Sequence, residues 1–262
     1  MNDEEYSFNR HMLLDDRHKI LFCFVPKIGC TNLKLLMFVN QGLINRSELY
    51  KSRDAVNQVA LEKVMADHSF ISATEQKKHQ ALDSYFKFTM YRNPLERLAS
   101  GYRSKVERFP LIGLREDKPH FNWLRKEIYL TWHKKEYALW RARGGVTPIN
   151  ITFSDFIDYW THYPVFNKAD SRLDEHFLLS NYMCQPCRIR FDFYGNLHHF
   201  ERDAQVLISK IGANSTYLRS SYYSEDTSTE ARMQQYYSTL SEDQKRQLLK
   251  KMALELEFFY AI

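Results

Sequence analysis

Apolar positions along the chain follow two periodicities. Residues 19–25, KILFCFV, are an almost unbroken apolar run. That pattern suits a strand buried on both faces of a parallel sheet. Residues 31–42, TNLKLLMFVNQG, switch to helical spacing, with Leu33, Leu36, Met37 and Val39 on one side, Cys30 or Thr31 at the start and Gly42 at the end. The same succession recurs. Residues 85–92, YFKFTMYR, alternate like a strand, and NPLERLASGYRSKVERF follows with Leu95, Leu98, Ala99 and Tyr102 at helical spacing. Asn93 is placed to cap that helix, and Pro94 stands at its first position, where a missing N–H costs nothing.

Further on, 188–195, RIRFDFYG, predicts a third strand, and 198–212 a helix closed by Gly212. A short helix is expected over 151–160 with Ser154 as its cap, and a final amphipathic helix over 240–259 capped by Ser241. A polar helix is expected over 46–66. The stretch 107–148, with Trp123, Trp132 and Trp140 among many charges, reads as helices broken by loops. Strands alternating with helices predict an α/β fold with a mainly parallel central sheet flanked by helices. The expected organisation is one domain over residues 1–262, with 1–9 as a disordered lead-in. Neither a repeat nor a low-complexity linker interrupts it.

Composition narrows the class. The 262 residues are 44% hydrophobic and 15% aromatic, enough for a sizeable core. A net charge of +5 favours an anionic partner. The cations are dispersed, with no basic arm of the kind that binds nucleic acid, so no nucleic-acid partner is expected. No run reaches the ~18 apolar residues of a membrane helix, and the acidic, polar start MNDEEYSFNRH is no signal peptide. Of the cysteines, Cys23 reads as a small buried side chain. Cys184 and Cys187, in CQPC, read as a local disulfide or a free thiol pair, since a zinc site would need a second such pair. Asn45, Asn150 and Asn214 each open a glycosylation triplet.

The turn between the first strand and helix carries the first specific chemistry. In PKIGCTN, Gly29 lets an anion approach the backbone, the helix start presents unpaired amides, Lys27 supplies a mobile positive charge and Thr31 a hydroxyl. These are the parts of a phosphate cradle. The order differs from the nucleotide-triphosphate loop, where lysine follows the second glycine. A magnesium-dependent enzyme would also place an acid at the end of a second strand, whereas this one ends in Tyr91 and Arg92. A ligand held without a metal is therefore expected. Arg92 at a strand's carboxyl end, with Ser100 two helical turns on, suits a second phosphate.

The stretches RHMLLDDRHKILFCFVPKIGCTN and KFTMYRNPLERLASGYRSK resemble the Golgi carbohydrate sulfotransferases, in the branch of the chondroitin and dermatan 4-O-sulfotransferases and the HNK-1 sulfotransferase. The likeness continues in DEHF, in CQPCRIRFDFYGNLHHFERDAQVLI and in LELEFFYAI, spanning nearly the whole chain from Arg10. The resemblance implies a P-loop-like sulfotransferase fold and the donor 3′-phosphoadenylyl sulfate (PAPS). Pro26, Lys27, Ile28, Gly29, Cys30, Thr31 and Asn32 would then form the 5′-phosphosulfate loop. Arg92, Asn93, Pro94, Leu95, Glu96, Arg97, Leu98, Ala99 and Ser100 would form the 3′-phosphate motif. Lys27 would hold charge on the leaving phosphate. The acceptor would be a glycosaminoglycan or a glycoprotein glycan, with the 4-O position of GalNAc foremost. The family works in the Golgi lumen behind a membrane anchor that this sequence does not carry. That oxidising compartment would permit a Cys184–Cys187 bond, although such a bond closes a very small ring, and the free thiol pair stays open.

A general base must take the proton of the attacking hydroxyl, and histidine is the commonest choice. His68, in DHSF, is the expected base: it resembles a histidine in the base-bearing segment of the related uronyl 2-O-sulfotransferases. His176, in LDEHFLL, matches a family EHW segment, with Phe177 in place of the tryptophan. Arg97, Arg103 and Lys105 are candidates to face donor or acceptor, although Arg97 reads better as part of a solvated helix face. Two rival functions remain at this point: a small-molecule kinase built on the same loop, and an inactive glycan-binding relative.

Overall fold

A computed structural model of the chain describes residues 3–44, 63–108, 119–145, 149–162, 174–213 and 228–261. The fold is mixed α/β, with a mostly parallel four-stranded sheet flanked by helices. Contacts group the residues into two compact units. The first comprises Met1–Arg92, Leu178–Glu225 and Phe258–Ile262; the second comprises Asn93–Phe177 and Asp226–Glu257.

The first unit contains the sheet. Residues 1–9, expected as a disordered lead-in, carry helix α1 (Asp3–His11) from their third residue on. Strand β1 (Met12–Asp15) turns back into β2 (Ile20–Cys23), which pairs in parallel with β3 (Phe86–Tyr91) and through it with β4 (Phe193–Asn196). All four residues of β2 are buried, as a central strand requires. The Phe22 and Phe88 rings stack across the β2–β3 pair at 4.4 Å. Helix α2 (Cys30–Asn40) follows β2, and α3 (Glu75–Ser84) precedes β3. A short helix, α8 (Ser180–Cys184), precedes β4, and α9 (Phe200–Ile211) follows it, ended by Gly212 at φ 61°.

The sequence pattern located these elements with trimmed ends: 19–25 shortens to Ile20–Cys23, and 188–195 shifts to Phe193–Asn196. It did not single out β1, whose four residues are too few to show a period. The expected helix over 46–66 lies outside the described residues up to 62.

Cysteine pairing differs from the expectation. Cys23, at the end of β2, is bonded to Cys184, 161 residues away, while Cys187 is free and exposed. Cys184 and Cys187 stand on a tight local turn, whereas Cys184 at the last position of α8 meets the end of β2. Of the glycosylation triplets, Asn150 is exposed; Asn45 and Asn214 lie outside the described residues.

The second unit is helical: α4 (Pro94–Tyr102), continued by a π turn (Arg103–Glu107), then α5 (Pro119–Trp132), α6 (Lys134–Ala142), α7 (Phe153–His162), α10 (Ser228–Ser238) and most of α11 (Glu242–Ala261). Asn93 caps α4 as expected, its side chain accepting from the Leu95 and Glu96 amides at 3.0 and 3.4 Å. Ser241 likewise caps α11, accepting from Gln244 at 3.2 Å. The cap of α7 is Thr152, which accepts from the Asp155 amide at 3.1 Å; Ser154, expected there, instead receives the Gln244 side chain at 2.7 Å. Arg125 is buried and wraps the π turn, donating to the carbonyls of Val106 and Lys105 at 3.2 and 3.0 Å. Arg97, read as a solvated residue, is 1% exposed and pairs with buried Glu255 at 3.4 Å. Helical spacing gave no sign of α11, 158 residues later, arriving against that face. No helix among the described residues is long and apolar enough to cross a membrane.

Two stability outcomes are expected. Closing so long a loop stabilises by about 5 kcal/mol in the chain-entropy account. Cys184→Ser, or reduction, is therefore expected to lower the melting temperature by on the order of 10 °C in a thermal scan. Cys187→Ser should leave it unchanged. Glu255→Ala removes the carboxylate paired with buried Arg97 and should cost about 3–5 kcal/mol in urea unfolding, most of which an Arg97→Met, Glu255→Leu double variant recovers.

Candidate active site

The parallel register of β2 and β3 aligns two chemically loaded chain ends. Cys23 pairs with Thr89, and the Thr89 hydroxyl donates to the Cys23 carbonyl at 2.9 Å. Three residues beyond each of these lie Pro26 and Arg92. The Arg92 guanidinium donates through Nη1 to the Lys27 carbonyl at 3.4 Å. The end of the second strand thus grips the backbone of the loop that follows the first.

That loop has the features of an anion cradle. Pro26 to Gly29 form a tight turn, Gly29 has φ 80° at the cap position of α2, and no side chain caps that helix. The first-turn amides therefore lack the side-chain oxygen that usually satisfies them. Lys27 has φ 72°, a left-handed conformation that costs a non-glycine residue on the order of 1–3 kcal/mol and concentrates at functional sites. Ile28 is buried and anchors the turn in the core, while Thr31 is exposed. Asn32 is 7% exposed, and its Nδ2 donor meets no hydrogen-bond acceptor among the described residues. A buried orphan donor beside uncapped amides fits an anionic ligand. Cys30 is buried with a free thiol.

Lys34 was not anticipated. Its ammonium lies 4.1 Å from the centre of the Phe24 ring and 3.3 Å from the Met65 sulfur, 8% exposed, one helical turn past Thr31. Its charge signalled a solvated helix position; the aromatic face that receives it comes from tertiary packing.

In the second unit, the residues from Asn93 to Ser100 form the first two turns of α4. Pro94, Arg97, Leu98 and Ala99 are buried, and Ser100, Leu95 and Glu96 are partly exposed. Leu95 gives its carbonyl to the Tyr237 hydroxyl at 2.9 Å. Next to Ser100, Gly101 admits the turn 174–177: a Cβ there would meet Phe177 at 3.0 Å and the His176 carbonyl at 3.2 Å. Phe177 is fully buried, 4.9 Å from the Phe156 ring, so it packs the core instead of meeting a sugar.

The two histidines differ. His68 lies in the first unit, its carbonyl accepting from Leu14 of β1 at 2.8 Å, level with Leu21 of β2 and short of that strand's carboxyl end. Its ring lies 6.2 Å from that of Phe38 on α2. In the second unit His176 donates from Nδ1 to Asp174 Oδ1 at 2.5 Å, and its backbone amide reaches the same oxygen at 2.9 Å. Burial pushes the His176 pKa below its ordinary 6.5, and Lys105 adds to that push against the opposing Asp174 carboxylate. Burial raises the Asp174 carboxyl, but the His176 hydrogen bonds and charge outweigh it and hold the group below its usual range. The consistent state is a neutral imidazole oriented by an ionised carboxylate, with Nε2 as its acceptor. Arg103 and Lys105 are partly exposed on the π turn.

Known proteins share most of this chain's length. The model of the sulfotransferase family matches residues 10–261. Carbohydrate sulfotransferase 14 of Danio rerio is 28% identical over 255 residues, covering 95% of this chain and 62% of its own length. Carbohydrate sulfotransferase 11 of Mus musculus is 25% identical over 97% of this chain and 68% of its own length. Carbohydrate sulfotransferase 9 of Homo sapiens is 30% identical over 76% and 40% respectively. The chain spans 47–62% of the length of the carbohydrate sulfotransferase 14 proteins it matches. No solved structure matches. A match that runs through both motifs and almost end to end goes beyond a shared loop: the chain belongs to the sulfotransferase family.

Proposed function

We propose that this chain is a carbohydrate sulfotransferase that moves a sulfuryl group from PAPS to a glycan hydroxyl. The observation that carries the reading is the Arg92 contact to the Lys27 carbonyl, which joins two cationic chain ends beside an uncapped helix start. The bound donor would supply an activated sulfuryl group on a phosphate leaving group.

The residues then divide the work. The amides of 29–31, with Asn32 Nδ2, hold the 5′-phosphosulfate, while the Asn32 amide donates to the Gly29 carbonyl at 3.2 Å. Lys27 places its ammonium against the charge that grows on the leaving phosphate oxygen. Its left-handed backbone preorganises that position. Arg92, with Asn93 to Ser100, takes the 3′-phosphate, Arg92 and Ser100 supplying side-chain donors. Arg97 is engaged by Glu255, so its contribution is to hold α4. His176 has a better claim than His68 to remove the acceptor proton, because only His176 has an orienting carboxylate. The resemblance to the chondroitin and dermatan branch extends the reading to the 4-O position of GalNAc and to a Golgi-lumenal setting.

Transfer of labelled sulfate from PAPS to a panel of desulfated glycosaminoglycans tests the reading. Lys27→Ala should lower kcat by about 10²–10³-fold. No transfer to any glycan, or full activity in that variant, defeats the proposal. Phosphoryl transfer from ATP and magnesium would install the kinase reading instead.

The base is tested by pH. A neutral His176 is needed, so activity is retained above pH 6.5 and falls only as pH drops through the lowered pKa; the acidic limb should lie below 6.5. Asp174→Asn removes the partner that raises this pKa, so the limb should move to still lower pH while kcat falls. His176→Ala should cost about 10²–10⁴-fold, and His68→Ala little. The reverse order would reinstate His68.

A further inference from the structure

Helices α5 and α6 carry a row of rings that the donor site and the base do not use. Tyr129 and His133 stack at 4.7 Å with planes 24° apart. Tyr137 follows at 6.4 Å from Tyr129, and Trp140 at 5.4 Å from Tyr137. His133 is held in place by Asp155 at 3.1 Å, and Trp140 rests on the turn at Gly145, where a Cβ would stand 3.4 Å from the indole. All four rings are partly exposed.

Cations accompany the row. Lys126 is three residues before Tyr129; Lys134 and Arg141 are three before and four after Tyr137, on its side of α6. All three are exposed, as are Lys135 and Arg143. Against these five stand exposed Glu136 and partly exposed Glu127 and Asp155, so the surface is still net positive. Lys134 and Arg141 are about 10.5 Å apart along the axis, a separation that suits successive anionic groups of a repeating sugar chain.

We propose that this face of α5 and α6 is a track for an extended anionic polysaccharide, binding uronate- or sulfate-bearing sugars away from the reacting hydroxyl. The C–H faces of pyranose rings are apolar and slightly positive, matching the negative faces of Tyr129, Tyr137 and Trp140. Lys126, Lys134 and Arg141 pair with the carboxylates or sulfates, Arg141 in bidentate fashion. Packing alone would need the rings but not the cations aligned with them. The inference rests on the reading of the chain as a carbohydrate sulfotransferase.

The test uses the full chain without donor, binding chondroitin sulfate, chemically desulfated chondroitin and a single-stranded oligonucleotide at two salt concentrations. Chondroitin sulfate should bind most tightly and weaken with salt. The exposed pair Lys134→Glu, Arg141→Glu, which should not disturb folding, is expected to weaken binding by about tenfold or more. Tyr137→Ala should weaken it at both salt concentrations. With donor present, the charge-reversed pair should raise the KM of the polymer while leaving the donor KM and turnover of a disaccharide acceptor unchanged. Equal binding by wild type and the charge-reversed pair, or tighter binding of the oligonucleotide, overturns the track. Polymer binding that depends on these residues, in a protein that transfers no sulfate, would keep the track and reject the enzymatic reading.

Discussion

The parallel pairing of β2 with β3 is the constraint on which the candidate donor site depends. Its register sets Cys23 against Thr89, so the loop after one strand and Arg92 after the other leave the sheet side by side. Stacked Phe22 and Phe88 mark that register, because a one-residue slip would put the two rings on opposite faces of the sheet. The Cys23–Cys184 bond secures the end of β2 three residues before the loop. The hydroxyl of Thr89 on the Cys23 carbonyl adds a further tie at the same level.

What leaves the sheet there is costly in isolation. Lys27 in a left-handed conformation, an uncapped helix start and a buried Asn32 donor without an acceptor are each unfavourable. An anion would relieve the last two and complement the lysine charge. Natural sequences tolerate such local conflicts mainly where function requires them, which is why these residues merit more weight than the exposed Thr31.

The second unit reaches its arrangement through burial. Gly101 leaves space for the His176 carbonyl and for Phe177. The turn closes on Asp174, which orients the imidazole from its side chain and accepts the Phe177 amide with its carbonyl at 2.8 Å. Arg97, read as a solvated residue, and Arg125 are both 1% exposed and hold helices together through Glu255 and the π-turn carbonyls.

Local chemistry was legible in the sequence because it depends on neighbours a few residues apart. The apolar run of β2, Asn93 and Pro94 at the start of α4, Ser241 before α11, Gly212 after α9 and the PKIGCTN loop all follow from spacing and residue type. The resemblance to carbohydrate sulfotransferases rested on the two long stretches around these motifs and on a likeness that continues from Arg10 almost to the end. Tertiary structure decided whatever depends on partners distant in the chain. Cys23 met Cys184 instead of leaving the latter to Cys187, Arg97 met Glu255 instead of water, and Arg92 met the Lys27 carbonyl. His176 gained its carboxylate partner from the way the turn closes on Asp174, and its lowered pKa from burial. A periodicity of 2 or 3.6 residues says which face of an element is covered. It does not say which residue, one hundred or more positions away, does the covering.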